Sequence, residues 1–207
     1  MMQRRLVEEI KGKMILSSPV EKAMLAIDRS HFVPGGFARH AYKLDALPMT
    51  ATATVSSPLT VAKMTHALDV EGADSVLEIG CGSGYQAAVL SQVIRRVFTV
   101  ERVEKLLEEA KGRFKKLGLS NINTRLGDGQ VGWREFAPYD RILLSASTPL
   151  VPQALFDQLA DGGILVVPQG EGDHQVIMKY TKRGRVITKS EIERCNFVPI
   201  LSGIEKV

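Results

Sequence analysis

A glycine-rich loop between a strand and a helix constrains this chain more than any other feature. Residues 76–90 read VLEIGCGSGYQAAVL. An apolar run, which predicts a buried strand, leads directly into Gly80, Gly82 and Gly84. Glycine permits a tight turn and lets the backbone approach a ligand where a Cβ atom would collide. The segment therefore predicts a nucleotide-like cofactor site at the end of a strand.

The spacing of these glycines argues against two phosphate-binding loops. A dinucleotide loop of the G-x-G-x-x-G form requires glycine at position 85, where this chain has Tyr85. A P-loop requires a terminal Gly-Lys-Ser/Thr sequence, which the segment lacks. The loop also contains no lysine or arginine to hold a phosphate. A cofactor without phosphate groups is therefore favoured.

A strand that ends in a carboxylate supplies the second part of the predicted site. Residues 96–101 read RVFTVE, a β-branched and aromatic run that predicts a strand ending in Glu101. A carboxylate at such a strand end can accept hydrogen bonds from two ribose hydroxyls. Glu78 lies on the other side of the loop, so acidic residues flank the glycines.

An Asp-Gly turn supplies the third part. Residues 122–129 read INTRLGDG, which predicts another strand followed by Gly127, Asp128 and Gly129. Such a turn can place an acid and exposed backbone N–H groups beside an adenine ring. Together with the acidic flanks, the turn favours a cationic, phosphate-free nucleoside such as S-adenosylmethionine. The alternative is a glycine loop that serves only a tight strand-to-helix turn.

Strands and helices alternate from residue 75 onward. Strands are predicted at 75–80, 96–101, 122–127, 141–146 and 162–170, with helices near 85–95, 103–116 and 152–160. This alternation predicts an α/β fold with a doubly wound, mostly parallel sheet. After Gly170 strand signals continue without a helix and turn at Arg183 and Gly184, which predicts antiparallel strands at the C-terminus.

The first part of the chain differs in character. Residues 1–45 have apolar positions at helical spacing and predict a small helical cap. Residues 45–64 are small, hydroxylated and almost uncharged, and predict a loop that enters a helix from Pro58 to Leu68. We therefore divide the chain into an N-terminal cap with its loop, residues 1–57, and a cofactor-binding domain, residues 58–207.

Composition and charge exclude several classes of protein. The chain has 207 residues, of which 44% are hydrophobic. No apolar run approaches the roughly 20 residues that span a bilayer. The N-terminal MMQRRLVEEIKGK is charged and lacks the apolar core of a signal peptide. We expect a cytoplasmic α/β protein that does not bind membranes and acts as a monomer.

Neither a metal nor a nucleic acid is expected as a partner. Cys81 and Cys195 lack the neighbours of a zinc site, and the histidines are scattered at His31, His40, His66 and His174. The net charge is +4, but lysines and arginines are interleaved with acids, as on a solvated helix face. The first alternative, a methyltransferase for RNA or DNA, would predict an Asn-Pro-Pro-Tyr-type sequence at the strand end or a Pro-Cys nucleophile. This chain has neither, and no patch of aromatic and basic residues for base stacking is visible in it.

Several segments along nearly the whole chain resemble the protein-L-isoaspartate (D-aspartate) O-methyltransferase family. They include AIDRSHFVP (26–34), AYKLDALP (41–48), TVSSPLTVAKMT (54–65), LGDGQVGW (126–133) and NFVPILSG (196–203), besides the glycine loop. The resemblance implies the Rossmann-like fold of class I methyltransferases, with a mostly parallel sheet of seven strands. It also implies S-adenosyl-L-methionine as methyl donor and S-adenosyl-L-homocysteine as product. It also implies methylation of the abnormal isoaspartyl carboxylate in damaged proteins, which initiates repair.

The resemblance also implies roles for single residues. Cofactor binding is expected at Glu78, Gly80, Gly82, Gly84, Glu101, Arg102, Gly127, Asp128 and Gly129. Substrate binding is expected at Thr54, Val55, Ser56, Ser145, Ala146 and Val198. Ser56 matches the serine of the family's Thr-Ile-Ser signature and is the expected catalytic residue. The alternative is that Ser56 merely caps the helix that starts at Pro58. The segment NFVPIL is expected to form both a sheet strand and a wall of a peptide groove.

One segment departs from the family pattern. The family usually reads Gly-x-Gly-Gln before Thr-Ile-Ser, whereas residues 50–53 of this chain read Thr-Ala-Thr-Ala. Without these glycines the loop loses positive-φ freedom and gains β-branched side chains. Substrate specificity is therefore the property that this change affects. The alternatives are a carboxyl methyltransferase for a dedicated peptide or protein, and a cofactor-binding protein without repair activity.

The reaction chemistry favours a carboxylate as methyl acceptor. A carboxylate with a pKa near 4 is ionised at neutral pH and needs no general base. The predicted strand end after residue 144 supplies only Ser145, Ala146 and Ser147, none of which is a base. An amine, a ring nitrogen or a hydroxyl would have to lose a proton, which fits this sequence less well.

Overall fold

The computed structural model describes residues 1–50 and 53–206. The α-helices are α1 (Met2–Lys11), α2 (Ser18–Ala26), α3 (Pro58–Ala67), α4 (Tyr85–Leu90), α5 (Glu104–Lys116) and α6 (Gln153–Asp157). The strands are β1 (Leu47–Pro48), β2 (Thr54–Val55), β3 (Ser75–Ile79), β4 (Arg96–Glu101), β5 (Ile122–Leu126), β6 (Tyr139–Leu144), β7 (Leu159–Glu171), β8 (His174–Arg183) and β9 (Val186–Cys195). Short 3₁₀ turns lie at Arg29–His31, Gly35–His40, Gly129–Val131 and Arg134–Phe136.

Within the described residues, strands β3 to β9 form one sheet in the order β5-β4-β3-β6-β7-β8-β9. Pairing is parallel from β5 across to β7 and antiparallel for β7 with β8 and β8 with β9. The predicted fold class is thereby confirmed, including the antiparallel C-terminal strands. The chain runs outward from β3 to β5 and then returns to the other side of β3 with β6. In open α/β sheets, ligands bind at the carboxyl ends of the strands beside such a reversal.

Two apolar layers cover the sheet. Alternate residues of β3 and β4 point to opposite faces, as strand geometry requires. Val76 and Val97 belong to the layer that contains buried residues of helices α1 to α5. Leu77 and Phe98 belong to the opposite layer, which is built around Trp133, α6 and β8. Because the cap helices share the first layer with β3 and β4, their packing also fixes the segment that enters α3.

Several element boundaries differ from the sequence predictions. Helix α4 ends at Leu90 instead of residue 95. Directly after Leu90, the Ser91 hydroxyl donates to the Ala88 carbonyl at 2.7 Å and competes with the helical hydrogen bonds. Beyond α2 the cap continues in 3₁₀ turns, not α-helix. The prediction that NFVPIL forms a sheet strand is wrong, because the sheet ends with β9 and this segment makes only an isolated bridge through Pro199. Local apolar content could not reveal that difference.

Candidate active site

A cleft opens at the carboxyl ends of β3, β4 and β6, beside the reversal of strand order. Its empty volume is about 950 Å³ including the part open to solvent, within the range common for small-molecule sites. The predicted residues that line it are Thr54, Ser56, Gly80, Gly82, Glu101, Arg102, Gly129, Ser145, Ala146 and Val198. Val55, Glu78, Gly84, Gly127 and Asp128 do not line it. Sequence elements separated by about 150 positions therefore converge on one cavity.

The glycine loop (residues 80–84) uses its glycines for two purposes. Gly80, Gly82 and Gly84 have φ values of +92°, +53° and +85°, a region that side chains rarely adopt. A Cβ atom on Gly82 would meet only the Cε atom of Met49, at 3.8 Å, so this backbone is open to the cleft. A Cβ atom on Gly84 would lie 2.6 Å from Cε1 of Phe114, so Gly84 allows α5 to pack against the loop.

The Glu101 carboxylate lies inside the cleft at the end of β4. One of its oxygens, Oε2, accepts a hydrogen bond from the Gly82 backbone N–H at 2.8 Å. The other, Oε1, accepts from the backbone N–H groups of Arg102 at 2.8 Å and Val103 at 3.0 Å. These bonds hold the carboxylate beside the glycine loop, as the sequence predicts, and leave acceptor capacity for further donors.

The Glu78 carboxyl group lies beneath the cleft and is fully buried. It accepts hydrogen bonds from the Thr99 hydroxyl at 2.6 Å and the Ser145 hydroxyl at 3.3 Å. Burial raises the pKa of Glu78 to about 8, against the opposing effect of both hydroxyls, and the charge of Glu101 raises this pKa further. Ser145, which lines the cleft, therefore connects it to a carboxyl group that is mainly protonated at neutral pH.

Two adjacent serines precede helix α3 and have different environments. The Ser57 hydroxyl accepts a hydrogen bond from the Thr60 backbone N–H at 3.1 Å, so Ser57 is the N-cap. The suggestion that Ser56 caps this helix is therefore wrong by one position. Ser56 instead lines the cleft. We call residues 53–57 the Ser56 loop.

The loop that departs from the family pattern is closed by a tight pair of hydrogen bonds. The backbone N–H groups of Met49 and Thr50 both donate to the Ala53 carbonyl at 3.0 Å. Strands β1 and β2 pair on either side, with Leu47 opposite Val55. Residues 51 and 52, which are part of the predicted departure, lie outside the described residues. Ala53 itself lines the cleft next to Thr54.

The Asp-Gly turn supports the cleft from its far side. A Cβ atom on Gly129 would lie 2.2 Å from Cγ2 of Ile79, so only glycine fits beneath the cleft. The Asp128 carboxylate accepts from the Gln130 backbone N–H at 2.9 Å and from the Gly203 N–H at 2.8 Å. Asp128 thus holds the C-terminal segment (residues 197–206), a contact that spans 75 positions of sequence.

The C-terminal segment runs along the edge of the cleft. The Ser147 N–H donates to the Val198 carbonyl at 2.9 Å, and the Ile200 N–H donates to the Ser147 carbonyl at 2.7 Å. Arg102 forms an ion pair with Glu205 at 3.1 Å. Residues of this segment that line the cleft are Val198, Pro199, Ile200 and Leu201. These residues form a wall of the cleft, and the expectation that this wall binds a peptide stays a prediction.

Sequence reasoning missed two side chains at the start of α4. Tyr85 and Gln86 both line the cleft and are almost completely buried. The Gln86 side-chain amide donates to the Thr65 hydroxyl at 2.9 Å, which links α4 to α3. Their place directly behind the glycine loop was the available signal, because the first turn of that helix must face the ligand.

The donor and acceptor groups of the cleft suit a phosphate-free cationic nucleoside. The glycine loop provides open backbone, and Glu101 provides a carboxylate for hydroxyl groups. Arg102, the one lysine or arginine among the described residues that line the cleft, forms an ion pair with Glu205. Among the described residues, no group of three or more His, Cys, Asp or Glu side chains could hold a metal ion. No helix within residues 1–50 and 53–206 is both long enough and apolar enough to cross a membrane.

Comparison with known proteins decides the family. A family model described as protein-L-isoaspartate(D-aspartate) O-methyltransferase matches residues 1–205. The chain belongs to this family. A protein-L-isoaspartate O-methyltransferase of Helicobacter pylori (strain G27) is 52% identical over 201 residues, which cover 97% of this chain and 96% of the relative. The family resemblance noted in the sequence is thereby confirmed.

More distant members of the isoaspartate methyltransferase family match nearly the whole of this chain. The enzyme of that name from Dictyoglomus thermophilum is 45% identical over 198 residues, 96% of this chain and 90% of the relative. A solved structure of a protein-L-isoaspartate O-methyltransferase superposes with a TM-score of 0.88 at 28% identity. It covers 98% of this chain and 67% of the other. The match includes the cap as well as the sheet.

Proposed function

We propose that this chain transfers the methyl group of S-adenosyl-L-methionine to the carboxylate of L-isoaspartyl and D-aspartyl residues in damaged proteins, the first step of their repair. The observation that carries this proposal is the meeting of the Ser56 loop with the glycine loop and Glu101 in one cleft. Family membership supplies the substrate class, and members of the family use this methyl donor.

Cofactor binding is assigned to the glycine side of the cleft. The backbone of Gly80 and Gly82, which lines the cleft, accommodates the amino-acid part of the cofactor, and Glu101 accepts hydrogen bonds from its ribose hydroxyls. Gly127, Asp128 and Gly129 form the adenine side. Gly84 and Glu78 act from behind the loop, the first through packing against α5 and the second through Ser145.

Acceptor binding is assigned to the opposite wall. The Ser56 hydroxyl orients the acceptor carboxylate, and Thr54, Ser145, Ala146 and Val198 complete the surroundings. Val55 is buried behind this wall and supports its backbone.

The bound cofactor supplies an electrophilic methyl group. Because the acceptor carboxylate is already ionised at neutral pH, the chain has no proton to remove. Its task is to align the carboxylate and to exclude water, and alignment alone accounts for large rate factors. Cleft residues that are mostly apolar or small suit that task.

Methyl transfer to synthetic peptides tests this function. Two peptides of one sequence, with isoaspartate or aspartate at one position, are incubated with labelled S-adenosylmethionine. We expect a base-labile methyl ester on the isoaspartyl peptide alone. Ester on neither peptide, with cofactor binding intact by calorimetry, would contradict the proposal.

A second candidate is a carboxyl methyltransferase with a dedicated peptide or protein substrate. The observation that favours it is the sequence of residues 50–53, which lacks the family's glycines beside the acceptor side of the cleft. Under this candidate the isoaspartyl peptide stays unmethylated while an extract from the source cell contains a protein that becomes methylated. If the chain has lost turnover altogether, neither the isoaspartyl peptide nor the extract will contain a methylated product.

We further infer that the chain acts as a monomer on peptide substrates, without a nucleic-acid partner. The absence of a nucleic-acid partner is supported by the interleaving of lysines and arginines with acids along helices such as α5, where Lys111 pairs with Glu108 and Arg113 pairs with Glu109. Sedimentation of the purified chain measures the oligomeric state, and added RNA should leave the methyl-transfer rate unchanged.

A further inference from the structure

Arg29 is a completely buried cation that is surrounded by backbone carbonyls. Its guanidinium donates to the carbonyls of Ala41 at 3.0 Å, Lys43 at 3.2 Å, Asp45 at 2.8 Å, Val55 at 3.4 Å and Ser56 at 3.0 Å. In the described part of the chain, none of its hydrogen-bond partners is a carboxylate. The hydrogen bonds of this cation therefore go to backbone carbonyls.

Burying the Arg29 cation in this way carries a desolvation penalty. Removing a charge from water without a counter-ion is unfavourable unless its hydrogen-bonding groups are well satisfied. Burial lowers the pKa of Arg29, yet arginine remains protonated in proteins. The Arg29 Nε atom finds no partner among the described residues. An apolar side chain of similar size would fill the same space with a smaller desolvation penalty. The hydrogen-bond donors of Arg29 therefore provide something that packing alone does not.

The carbonyls that Arg29 binds belong to two separate segments. Ala41, Lys43 and Asp45 belong to the cap, whereas Val55 and Ser56 belong to the Ser56 loop. The planar guanidinium has five donors in a fixed arrangement, so it can fix the separation and direction of several acceptors at once.

Arg29 also contacts the cofactor side of the cleft. Its Cζ atom lies 5.9 Å from the centroid of the Tyr85 ring, within the range of a cation–π contact. Tyr85 is the first residue of α4, directly behind the glycine loop, and it lines the cleft. Arg29 itself does not line the cleft. One buried side chain therefore touches both the Ser56 loop and the element that follows the glycine loop.

We propose that Arg29 is a positioning residue that sets the Ser56 loop at the distance from the glycine loop that methyl transfer requires. The inference rests on the proposed function, because it assigns the acceptor to Ser56. In-line transfer depends on alignment, and a displacement of about 1 Å can lower a rate about 100-fold. Arg29 would thus control kcat without touching either reactant.

The competing explanation is that Arg29 only stabilises the cap. Comparison of Arg29→Lys with Tyr42→Phe separates the two. Lysine retains the charge but has a single ammonium group, so it cannot bind all of these carbonyls in one plane. Tyr42 lies in the same cap, and its hydroxyl donates to the Asp28 carboxylate at 2.9 Å. Its removal weakens the cap without removing a bond to the Ser56 loop.

Steady-state kinetics with the isoaspartyl peptide is measured well below the melting temperature of each variant. We expect kcat to fall about 10- to 100-fold in Arg29→Lys, with the affinity for S-adenosylhomocysteine unchanged. Tyr42→Phe should keep wild-type kcat even though its melting temperature falls. Wild-type kcat in Arg29→Lys, or losses of kcat that follow the melting temperature equally in both variants, would overturn the proposal.

Hydrogen exchange gives a readout that does not depend on the reaction. Backbone amides of residues 53–57 should exchange faster in Arg29→Lys than in Tyr42→Phe, because only the first variant releases the loop carbonyls. Equal exchange in the two variants would also overturn the proposal. If the wild-type chain fails to methylate the isoaspartyl peptide, the proposed function fails, while the exchange measurement still decides whether Arg29 holds this loop.

Discussion

At the residue scale, neighbouring side chains of the same type perform different tasks. Ser57 caps α3 and Ser56 faces the cleft, while Gly82 is open to the cleft and Gly84 accommodates Phe114. The sequence predicts that these residue types occur together near a cofactor. It does not predict which of the two adjacent serines is the N-cap of α3. That choice depends on how the N-terminal helical cap and Arg29 hold the Ser56 loop.

Replacement of each serine by alanine should separate activity from stability. Ser56→Ala should lower kcat/KM about 10- to 100-fold, the value of a hydrogen bond to a charged group, with little change in unfolding. Ser57→Ala should lower the free energy of unfolding by about 1 kcal/mol through loss of the cap and keep kcat/KM. Peptide kinetics and urea unfolding of both variants measure these effects. The reverse assignment of effects would contradict the geometry.

The buried Glu78 carboxyl group should make stability depend on pH. Its pKa is near 4.5 when unfolded and about 8 when folded, so between these values the folded state keeps a proton that the unfolded state has lost. Stability should therefore be greatest below about pH 4.5 with respect to this group, fall as pH rises and level off above about pH 8.

Glu78→Gln should remove this dependence, because its amide keeps partners in the Thr99 and Ser145 hydroxyls. From pH 6 to pH 8 the wild-type chain should lose about 2 kcal/mol of stability relative to the variant, because Glu78 loses its proton in the folded state only near pH 8. Urea unfolding at both pH values without cofactor measures the difference. Parallel pH dependence of the two proteins would show that Glu78 is ionised in the folded state.

At the element scale, local patterns predict the strands and helices, and contacts distant in sequence decide the rest. The glycine loop and the strand that ends in Glu101 follow from periodicity and turn chemistry, and the structure confirms both. The C-terminal segment was expected in the sheet, yet it leaves the sheet to bind Asp128 and Arg102. Those partners lie 75 and 103 positions away from Gly203 and Glu205, so no local pattern could indicate them.

Shortening the C-terminal segment should weaken the affinity for the cofactor more than it lowers the stability of the fold. Removal of residues 203–207 deletes the Gly203 bond to Asp128 and the Glu205 pair with Arg102. We expect about tenfold weaker binding of S-adenosylhomocysteine, or roughly 1.4 kcal/mol. Calorimetry measures the affinity, and removal of residues 206 and 207 alone, which retains both contacts, is the matched control. Equal affinity of the two truncated chains would contradict a role for this segment in holding the cofactor.

At the scale of the whole molecule, the topology explains why the site forms where it does. Carboxyl ends of parallel strands share one edge of the sheet, so the glycine loop, Glu101 and Ser145 meet there. The alternation of elements predicts that edge. The N-terminal cap adds the Ser56 loop, which the sheet does not supply. This loop lies over the same edge because α3 and Arg29 hold it there. The resemblance of AIDRSHFVP to the family includes Arg29, but its carbonyl partners follow only from the folded chain.

The central claim is that the cleft selects an isoaspartyl carboxylate for methylation, and the ratio of kcat/KM for two peptide isomers measures it most directly. The isomers have the same composition and charge and differ only in which carboxyl group of one aspartate joins the backbone. We predict a ratio above about 100 in favour of isoaspartate, since misaligned acceptors lose at least that factor. Equal kcat/KM for the two isomers, or preference for the normal aspartyl peptide, would contradict the account.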